Sequence, residues 1–287
     1  MAFPRDRGAG RAHEYPVGKG LLFFPPPWGR RLLGWREAAL DFLYPSFCPL
    51  CGEALPGGPP RPCRTCLERL EGPRPPFCPS CGLSSGPGKA RGDPCPGCAR
   101  KAWFPGKVAA PFFYRGAGGE LVRALKFEGR KGAGIFLGAA MVRAARAASL
   151  PLGPGCLLVP VPLHPRKRRK RGIHQAGFLA EEVGRRTGAP VLEALSRRRD
   201  TLPQGDPLNP SREKNVAGAF APRGRKARKL APGKAVVLVD DVATSGATAR
   251  ECRRVLLGMG AASVDLLVAC RVREPRSTRA TRAGTGP

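Results

Sequence analysis

Eight of the eleven cysteines occur as Cys-x-x-Cys pairs. The four pairs are Cys48/Cys51, Cys63/Cys66, Cys78/Cys81 and Cys95/Cys98. Two intervening residues allow both thiolates of a pair to reach one tetrahedral metal ion, and Zn²⁺ takes four such ligands in a structural site. The pairs therefore predict two structural zinc ions. Sequence order favours joining the first pair to the second and the third to the fourth, although a crossed arrangement also satisfies the spacing.

Other uses of paired cysteines fit less well. A disulfide scaffold needs an export route, and the sequence shows no signal-peptide pattern. A redox dithiol would occur once beside a βαβ unit rather than four times in a Pro-rich segment. The spacing is also compatible with an iron–sulfur cluster, but evenly paired turns favour zinc. The single cysteines Cys156, Cys252 and Cys270 lie in apolar stretches and are expected to be buried.

A second chemically interesting stretch follows the apolar run AVVLV at 235–239. The run predicts a buried strand that ends in Asp240 and Asp241. A loop rich in hydroxyl groups comes next, Thr244-Ser245-Gly246-Ala247-Thr248. Ligands of parallel sheets bind beyond the carboxyl ends of the strands, and backbone N–H groups at a helix N-terminus suit a phosphate. Two adjacent carboxylates suit a pair of sugar hydroxyls or a ligand-bound Mg²⁺ ion.

Three interpretations of this stretch compete. The first is an acidic strand end followed by a Ser or Thr that merely caps a helix. The second is the acidic strand of an ATPase, but the partner motif G-x-x-x-x-G-K-[ST] is absent from the sequence. The third is a loop that binds a sugar phosphate.

The surrounding pattern alternates apolar strands with helices. Strands are predicted at 108–114, 156–161, 190–195, 235–239 and 263–270, and helices at 118–127, 133–148, 174–187 and 248–259. This alternation is typical of an α/β fold with a mostly parallel sheet. A disordered lead-in is predicted at 1–30 and an amphipathic helix at 31–45. A disordered tail is predicted at 272–287.

The net charge of +29 makes polyanions the expected partners, whether phosphorylated small molecules or nucleic acid. Residues 166–171 are consecutively basic and directly follow a predicted buried strand. A solvated charged loop is the simpler explanation of such a run. No apolar run reaches the roughly 18–20 residues of a membrane helix, so no membrane insertion and a cytoplasmic location are expected.

Over residues 31–271 the chain resembles the ComF (competence protein F) family, also described as amidophosphoribosyltransferase-like. Residues 235–248 resemble the phosphoribosyl diphosphate (PRPP) motif of type I phosphoribosyltransferases. Further similarity lies in the Tyr114-Arg115-Gly116 and Leu125-Lys126-Phe127 stretches, in residues 159–175, and in the spaced residues Arg199, Thr201, Gln204, Arg212, Asn215 and Phe220. Ile173 and His174 stand where the family usually has Phe and Asn, and Leu208 lies one position later than expected.

The resemblance implies a double zinc ribbon at 46–103 and a type I phosphoribosyltransferase-like parallel sheet flanked by helices at 108–271. It implies a Mg²⁺-dependent transfer at C1 of the ribose to an acceptor that the sequence does not identify. Asp240 and Asp241 would hold the sugar hydroxyls. The 5-phosphate would lie against Thr244, Ser245, Gly246, Ala247 and Thr248. The diphosphate would lie against Arg166, Arg168, Arg169, Arg171 and Lys126.

The family name also suggests a function of another class. On this alternative the chain is a non-catalytic protein that uses the same fold to bind single-stranded DNA during DNA uptake. The basic run would attract the phosphate backbone, but aromatic residues for base stacking are scarce, at 7% of the chain. A regulator without catalysis would need only the fold.

Overall fold

The computed structural model describes residues 46–164, 166, 168, 169, 172–199, 216–224 and 232–272. The predicted lead-in, the helix at 31–45 and the tail after residue 272 lie outside this range. So do Arg171 and four spaced residues of the family pattern, namely Thr201, Gln204, Arg212 and Asn215.

The cysteine-rich module contains two similar halves. In the first half a short hairpin of β1 (Ser46–Phe47) and β2 (Ala54–Leu55) precedes the one-turn helix α1 (Arg64–Glu68). In the second half the one-turn helix is α2 (Pro96–Arg100). The first Cys-x-x-Cys turn of each half closes on a glycine with positive φ, Gly52 at 78° and Gly82 at 70°. Only glycine takes this conformation without strain, and it lets both thiols point to one side.

The remaining elements form the α/β part of the chain. Its helices are α3 (Gly116–Phe127), α4 (Lys131–Ala147), α5 (Gln175–Thr187) and α6 (Ala247–Gly258). Its strands are β3 (Val108–Ala109), β4 (Phe112–Phe113), β5 (Cys156–Pro160), β6 (Leu195–Arg197), β7 (Phe220–Pro222), β8 (Ala235–Ala243) and β9 (Ser263–Arg271). Among the described residues, no helix is long and apolar enough to cross a bilayer.

Five of the strands form one parallel sheet in the order β3-β9-β8-β5, and β4 extends β3 along the same edge of β9. Pro111 lies between β3 and β4, so the predicted strand 108–114 is two short segments, because proline lacks the N–H that a continuous ladder needs. The predicted strand 190–195 is a single bridge at Val191, followed by β6, which pairs antiparallel with β7.

Helices cover both faces of the sheet. Helices α3, α4 and α5 pack with Val237 and Val239 of β8 on one face. Helix α6 and the β6–β7 pair pack with Val236 and Leu238 on the other. Because both faces are buried, the central strands are apolar throughout rather than alternating. The predicted α/β fold, with a parallel sheet flanked by helices behind a cysteine-rich module, is confirmed.

The cysteine-rich module packs directly on the sheet. The Val108 N–H donates to the Pro79 carbonyl at 2.7 Å, and the Phe113 N–H donates to the Glu71 carbonyl at 2.8 Å. Leu67 and Leu70 extend the core beneath α3 and α4. The module is thus continuous with the edge of the sheet where β3 and β4 lie.

Candidate functional site

The paired cysteines converge into two separate groups of four sulfur atoms. One contains Cys48, Cys51, Cys63 and Cys66, and the other contains Cys78, Cys81, Cys95 and Cys98. All sulfur atoms of a group lie within 4.8 Å of one another. Tetrahedral Zn–S bonds of about 2.3 Å require S···S distances near ~3.8 Å. The Cys51–Cys63 and Cys81–Cys95 distances are 3.7 and 3.9 Å. The residues therefore fit two zinc ions, and the pairing is the local one.

One thiol in each group is set to ionise readily. A hydrogen bond with the Cys81 thiol lowers the pKa of Cys78 to about 4, although burial opposes this. Burial raises the pKa of Cys48, but backbone N–H groups of neighbouring residues outweigh it and bring the pKa down to about 6. Since zinc binds the thiolate form, each group offers a ligand at neutral pH without further proton loss.

The loop after β8 opens onto a cavity of about 250 Å³. Its lining includes Thr244, Ser245, Gly246, Ala247 and Thr248. Helix α6 begins directly after Gly246, which has a φ of 75°. The N-cap position of α6 is therefore a glycine, which has no side chain that could cap the first turn.

The two acidic residues lie inside β8 rather than at its end, because the pairing with β9 continues to Ala243. Consecutive strand residues face opposite sides of a sheet. Asp240 accordingly lines the cavity with the loop. Asp241 is close to helix α3 instead, where its Oδ2 lies 4.0 Å from the Lys126 Nζ. The sequence placed the pair correctly beside the loop but did not show this division.

Burial raises the pKa of Asp240 well above its ordinary value, and the Asp241 carboxylate adds to the rise. The backbone N–H of Asp241 donates to the Asp240 Oδ1 at 2.9 Å, which opposes it. A carboxyl group of this kind is costly to ionise in its buried position. A cation or a set of hydroxyl donors would lower that cost.

This cost predicts that Asp240→Asn stabilises the fold at neutral pH. Because the native carboxyl holds its proton to a higher pH than the unfolded one, wild-type stability falls as pH rises. Asparagine removes that loss and keeps the acceptor oxygen. We expect a Tm gain of roughly 2–4 °C near pH ~8, the effect of about 1 kcal/mol. The gain should shrink toward pH ~5.5 in calorimetric scans, and a pH-independent difference would contradict the assignment.

The basic segment follows β5 in the chain and presents exposed guanidinium groups. Arg166, Arg168 and Arg169 are exposed. The Arg168 Nη1 lies 3.5 Å from the Glu193 Oε1, which is also 3.5 Å from the His174 Nδ1. His174 also bonds through Nε2 to the Val161 carbonyl at 2.9 Å. The imidazole at this position therefore contacts the residue that follows β5 and lies near Glu193, which also faces the basic segment.

Burial, followed by the charge of Arg168, lowers the pKa of His174, while the Val161 bond and Asp241 oppose the change. The ring is consequently neutral at physiological pH. The ring therefore serves as a hydrogen-bonding group and does not add a positive charge for a polyanionic ligand.

Four residues near the loop at 244–248 were not predicted from the sequence. Arg197 of β6, which lies outside the parallel sheet, lines the same cavity. Trp103, Arg250 and Arg271 contact the loop from behind: the Arg250 Nη1 donates to the Ser245 carbonyl at 3.0 Å, and the Arg271 Nη1 donates to the Thr244 carbonyl at 2.6 Å. Three of the four are arginines of an arginine-rich chain, so composition offered no signal that could separate them from other arginines.

Gly246→Ala is expected to destabilise the loop through two effects. The left-handed φ would strain any side chain, and an added Cβ would lie 2.7 Å from the Trp103 Cζ2. Gly233 is a matched control, since its φ of 71° is similar and nothing lies within 4 Å of an added Cβ. We expect a fall in Tm of roughly 6–12 °C for Gly246→Ala and roughly 2–4 °C for Gly233→Ala, corresponding to about 3 and about 1 kcal/mol. Equal falls in thermal unfolding would show that Trp103 is not packed against the loop.

Comparison with known proteins gives matches to both parts of the chain. Residues 39–99 match the double zinc ribbon domain family. DNA utilization protein YhgH of Salmonella typhi is 30% identical over 198 residues, which are 67% of this chain and 83% of that protein. Competence protein F of Haemophilus influenzae is 30% identical over 110 residues, or 38% of this chain and 47% of that protein.

A solved structure of the allosteric regulatory enzyme of purine biosynthesis matches 46% of this chain and 24% of that chain, at 22% identity and a TM-score of 0.29. The chain thus covers most of the length of DNA utilization protein YhgH of Salmonella typhi. The chain belongs to the ComF family of DNA utilization protein YhgH and competence protein F.

Proposed function

We propose that the cavity beyond β8 binds Mg²⁺–PRPP and that the protein transfers the phosphoribosyl group to an acceptor. The observation that carries this proposal is the cavity at the start of α6, which the hydroxyl-rich loop and Asp240 line together. A 5-phosphate would accept hydrogen bonds from the loop N–H and hydroxyl groups of residues 244–248. The carboxylates of Asp240 and Asp241 would accept hydrogen bonds from the ribose hydroxyls.

Positive charge is available for the diphosphate. Lys126 lies beside Asp241, and Arg197 lines the cavity. Arg166, Arg168 and Arg169 would approach from the basic segment, and Arg171 belongs to the same run. As the bond to C1 breaks, charge grows on the departing diphosphate, and fixed cations would stabilise it. We therefore assign these residues to leaving-group binding rather than to proton transfer.

Mg²⁺ fits this arrangement as a partner of the diphosphate. Among the described residues, the only groups of three or more potential metal ligands are the two cysteine clusters. A Mg²⁺ ion would therefore be held mainly by phosphate oxygens, with Asp240 or Asp241 as the carboxylates within reach. Its chemical contribution would be neutralisation of the diphosphate.

The test is calorimetric titration with Mg²⁺–PRPP at physiological salt, with Mg²⁺–ATP and Mg²⁺–diphosphate as controls. A chain with a net charge of +29 attracts any polyanion weakly, so the controls measure that background. We expect PRPP to bind at least ten times more tightly than either control. Equal affinities for all three ligands would contradict a sugar-phosphate site.

A second function, binding of single-stranded DNA, is favoured by one specific observation. The relatives carry the names DNA utilization protein and competence protein, and this chain presents exposed arginines at 166, 168 and 169. Binding of this kind would depend on the phosphate backbone and weaken steeply with salt. Because the same arginines are assigned to the diphosphate, we expect single-stranded DNA and Mg²⁺–PRPP to compete for them.

A further inference from the structure

Arg271 connects the second cysteine cluster with the loop after β8. Its side chain is 2% exposed and lies at the end of β9. The Nε donates to the Cys81 carbonyl at 3.2 Å. The Nη1 donates to the Ala243 carbonyl at 3.0 Å and to the Thr244 carbonyl at 2.6 Å. A single buried guanidinium therefore joins the backbone of a metal-ligand residue to the first residues of the loop.

Trp103 forms the second connection. The Arg271 Cζ lies 3.5 Å from the centre of the Trp103 ring. The same ring packs on Gly246 so closely that an added Cβ would lie 2.7 Å from it. The Arg250 Nη1 donates to the Trp103 carbonyl at 2.8 Å and to the Ser245 carbonyl at 3.0 Å. The indole thus lies between a buried guanidinium and the middle of the loop, and Arg250 joins the backbone carbonyl of Trp103 to that of Ser245.

The backbone around Trp103 is itself tied to the Cys78–Cys81 turn. The Phe104 N–H donates to the Ser80 carbonyl at 3.1 Å, and the Ser80 hydroxyl donates to the Phe104 carbonyl at 3.0 Å. Phe104 is fully buried. Movement of the Cys78–Cys81 turn would therefore move Trp103 as well as the carbonyl that Arg271 contacts.

The first cysteine cluster contacts a different part of the molecule. The Arg130 Nη1 donates to the Pro49 carbonyl at 3.3 Å, before the start of α4. Leu50 of the same turn packs on the core formed by α3, α4 and α5. The two clusters thus support different elements, although their ligand sets are identical.

We propose that zinc in the second cluster holds the phosphate loop in its binding shape through the positioning residues Trp103 and Arg271, and that zinc in the first cluster does not. The proposal rests on the proposed function only for the identity of the ligand, because the contacts determine loop order whatever binds there. It predicts that the affinity of the loop for a sugar phosphate depends on metal occupancy at one cluster.

The experiment compares Cys98→Ser with Cys66→Ser, which remove one ligand from the second and the first cluster. Metal analysis establishes how much zinc each purified variant retains. Hydrogen–deuterium exchange is then followed in residues 243–249 and, as a readout of the first cluster, at the start of α4. Calorimetry measures the affinity for ribose 5-phosphate.

In Cys98→Ser we expect exchange at 243–249 to accelerate at least tenfold and ribose 5-phosphate to bind at least tenfold more weakly. Cys66→Ser should leave both quantities within about twofold of wild type. It should instead accelerate exchange at the start of α4, which Cys98→Ser should leave unchanged. Equal effects of the two variants, or wild-type exchange in Cys98→Ser, would overturn the proposal.

Trp103→Phe tests the same connection with all eight ligands present, in case Cys98→Ser does not fold. It should accelerate exchange in the loop while zinc content stays at the wild-type value, and wild-type exchange in this variant would overturn the proposal. If the wild-type protein does not bind ribose 5-phosphate, the proposed function fails. The exchange measurements still decide whether the second cluster orders the loop.

Discussion

Asp241→Asn is expected to weaken Mg²⁺–PRPP binding by about 100-fold, or ~2.7 kcal/mol, a loss typical of a charged hydrogen-bonding group removed from a binding site. The carboxylate is only partly accessible, with a side-chain exposure of 16%. Its Oδ1 accepts the Val242 N–H at 2.8 Å, and its Oδ2 faces Lys126. It is therefore already oriented before a ligand arrives.

The control ligands distinguish loss of a specific contact from general damage to the protein, because their affinities should change in a different direction. Replacing the carboxylate leaves the charge of Lys126 uncompensated, so the local potential becomes more positive. Binding of Mg²⁺–ATP and diphosphate should remain equal or become slightly tighter while PRPP binding falls. Single-stranded DNA, if it binds the exposed arginines, should be unaffected.

Asp265→Asn is the matched control variant. Asp265 is another acid of the parallel sheet, 8% exposed, but it lies near the start of β9 and accepts the Lys107 N–H at 2.7 Å. This variant should bind all ligands as wild type does. Loss of PRPP binding in both variants would indicate general destabilisation, and loss in neither would remove Asp241 from the site.

Removal of zinc is expected to unfold residues 46–106. Within the described ranges, the core of the first cluster consists of the ligands Cys48, Cys63 and Cys66, with only Leu50 and Leu55 packed against them. Binding of structural zinc to small peptides contributes about 10–16 kcal/mol at neutral pH, which such a small apolar cluster cannot replace. The metal therefore supplies most of the stability of this module.

The measurement is titration with a thiol reagent, with released zinc and amide exchange recorded together. We expect two zinc ions per chain, since the structure contains two four-sulfur groups. Loss of amide protection at 46–106 should accompany their release. Cys252→Ala provides the control, because this buried thiol lies outside both groups and its variant should retain both ions. Persistent protection after complete release would contradict a metal-dependent module.

Loss of the module should also weaken the sheet. The Val108 N–H would lose its acceptor at Pro79, and the Arg271 Nε would lose its acceptor at Cys81. A buried N–H group that loses its acceptor is costly. Exchange should therefore accelerate next in β3 and at the end of β9, before it does in α4.

The sequence by itself determined the features that depend on local spacing. Two residues between cysteines are enough to form a metal-binding turn, so the zinc ligands could be identified directly. An apolar run followed by acidic and hydroxyl residues places a strand end, a loop and a helix start in a fixed order. The alternation of such runs with helices predicted the parallel sheet.

Tertiary structure decided which distant groups meet. Asp241 faces Lys126 of α3 while Asp240 faces the cavity, because alternate strand positions lie on opposite faces and different helices cover each face. Trp103 and Arg271 meet behind Gly246 because β9 ends where the second cysteine cluster packs on the sheet. These contacts join residues far apart in the chain and follow from the packing of layers, for which no local spacing supplies a signal.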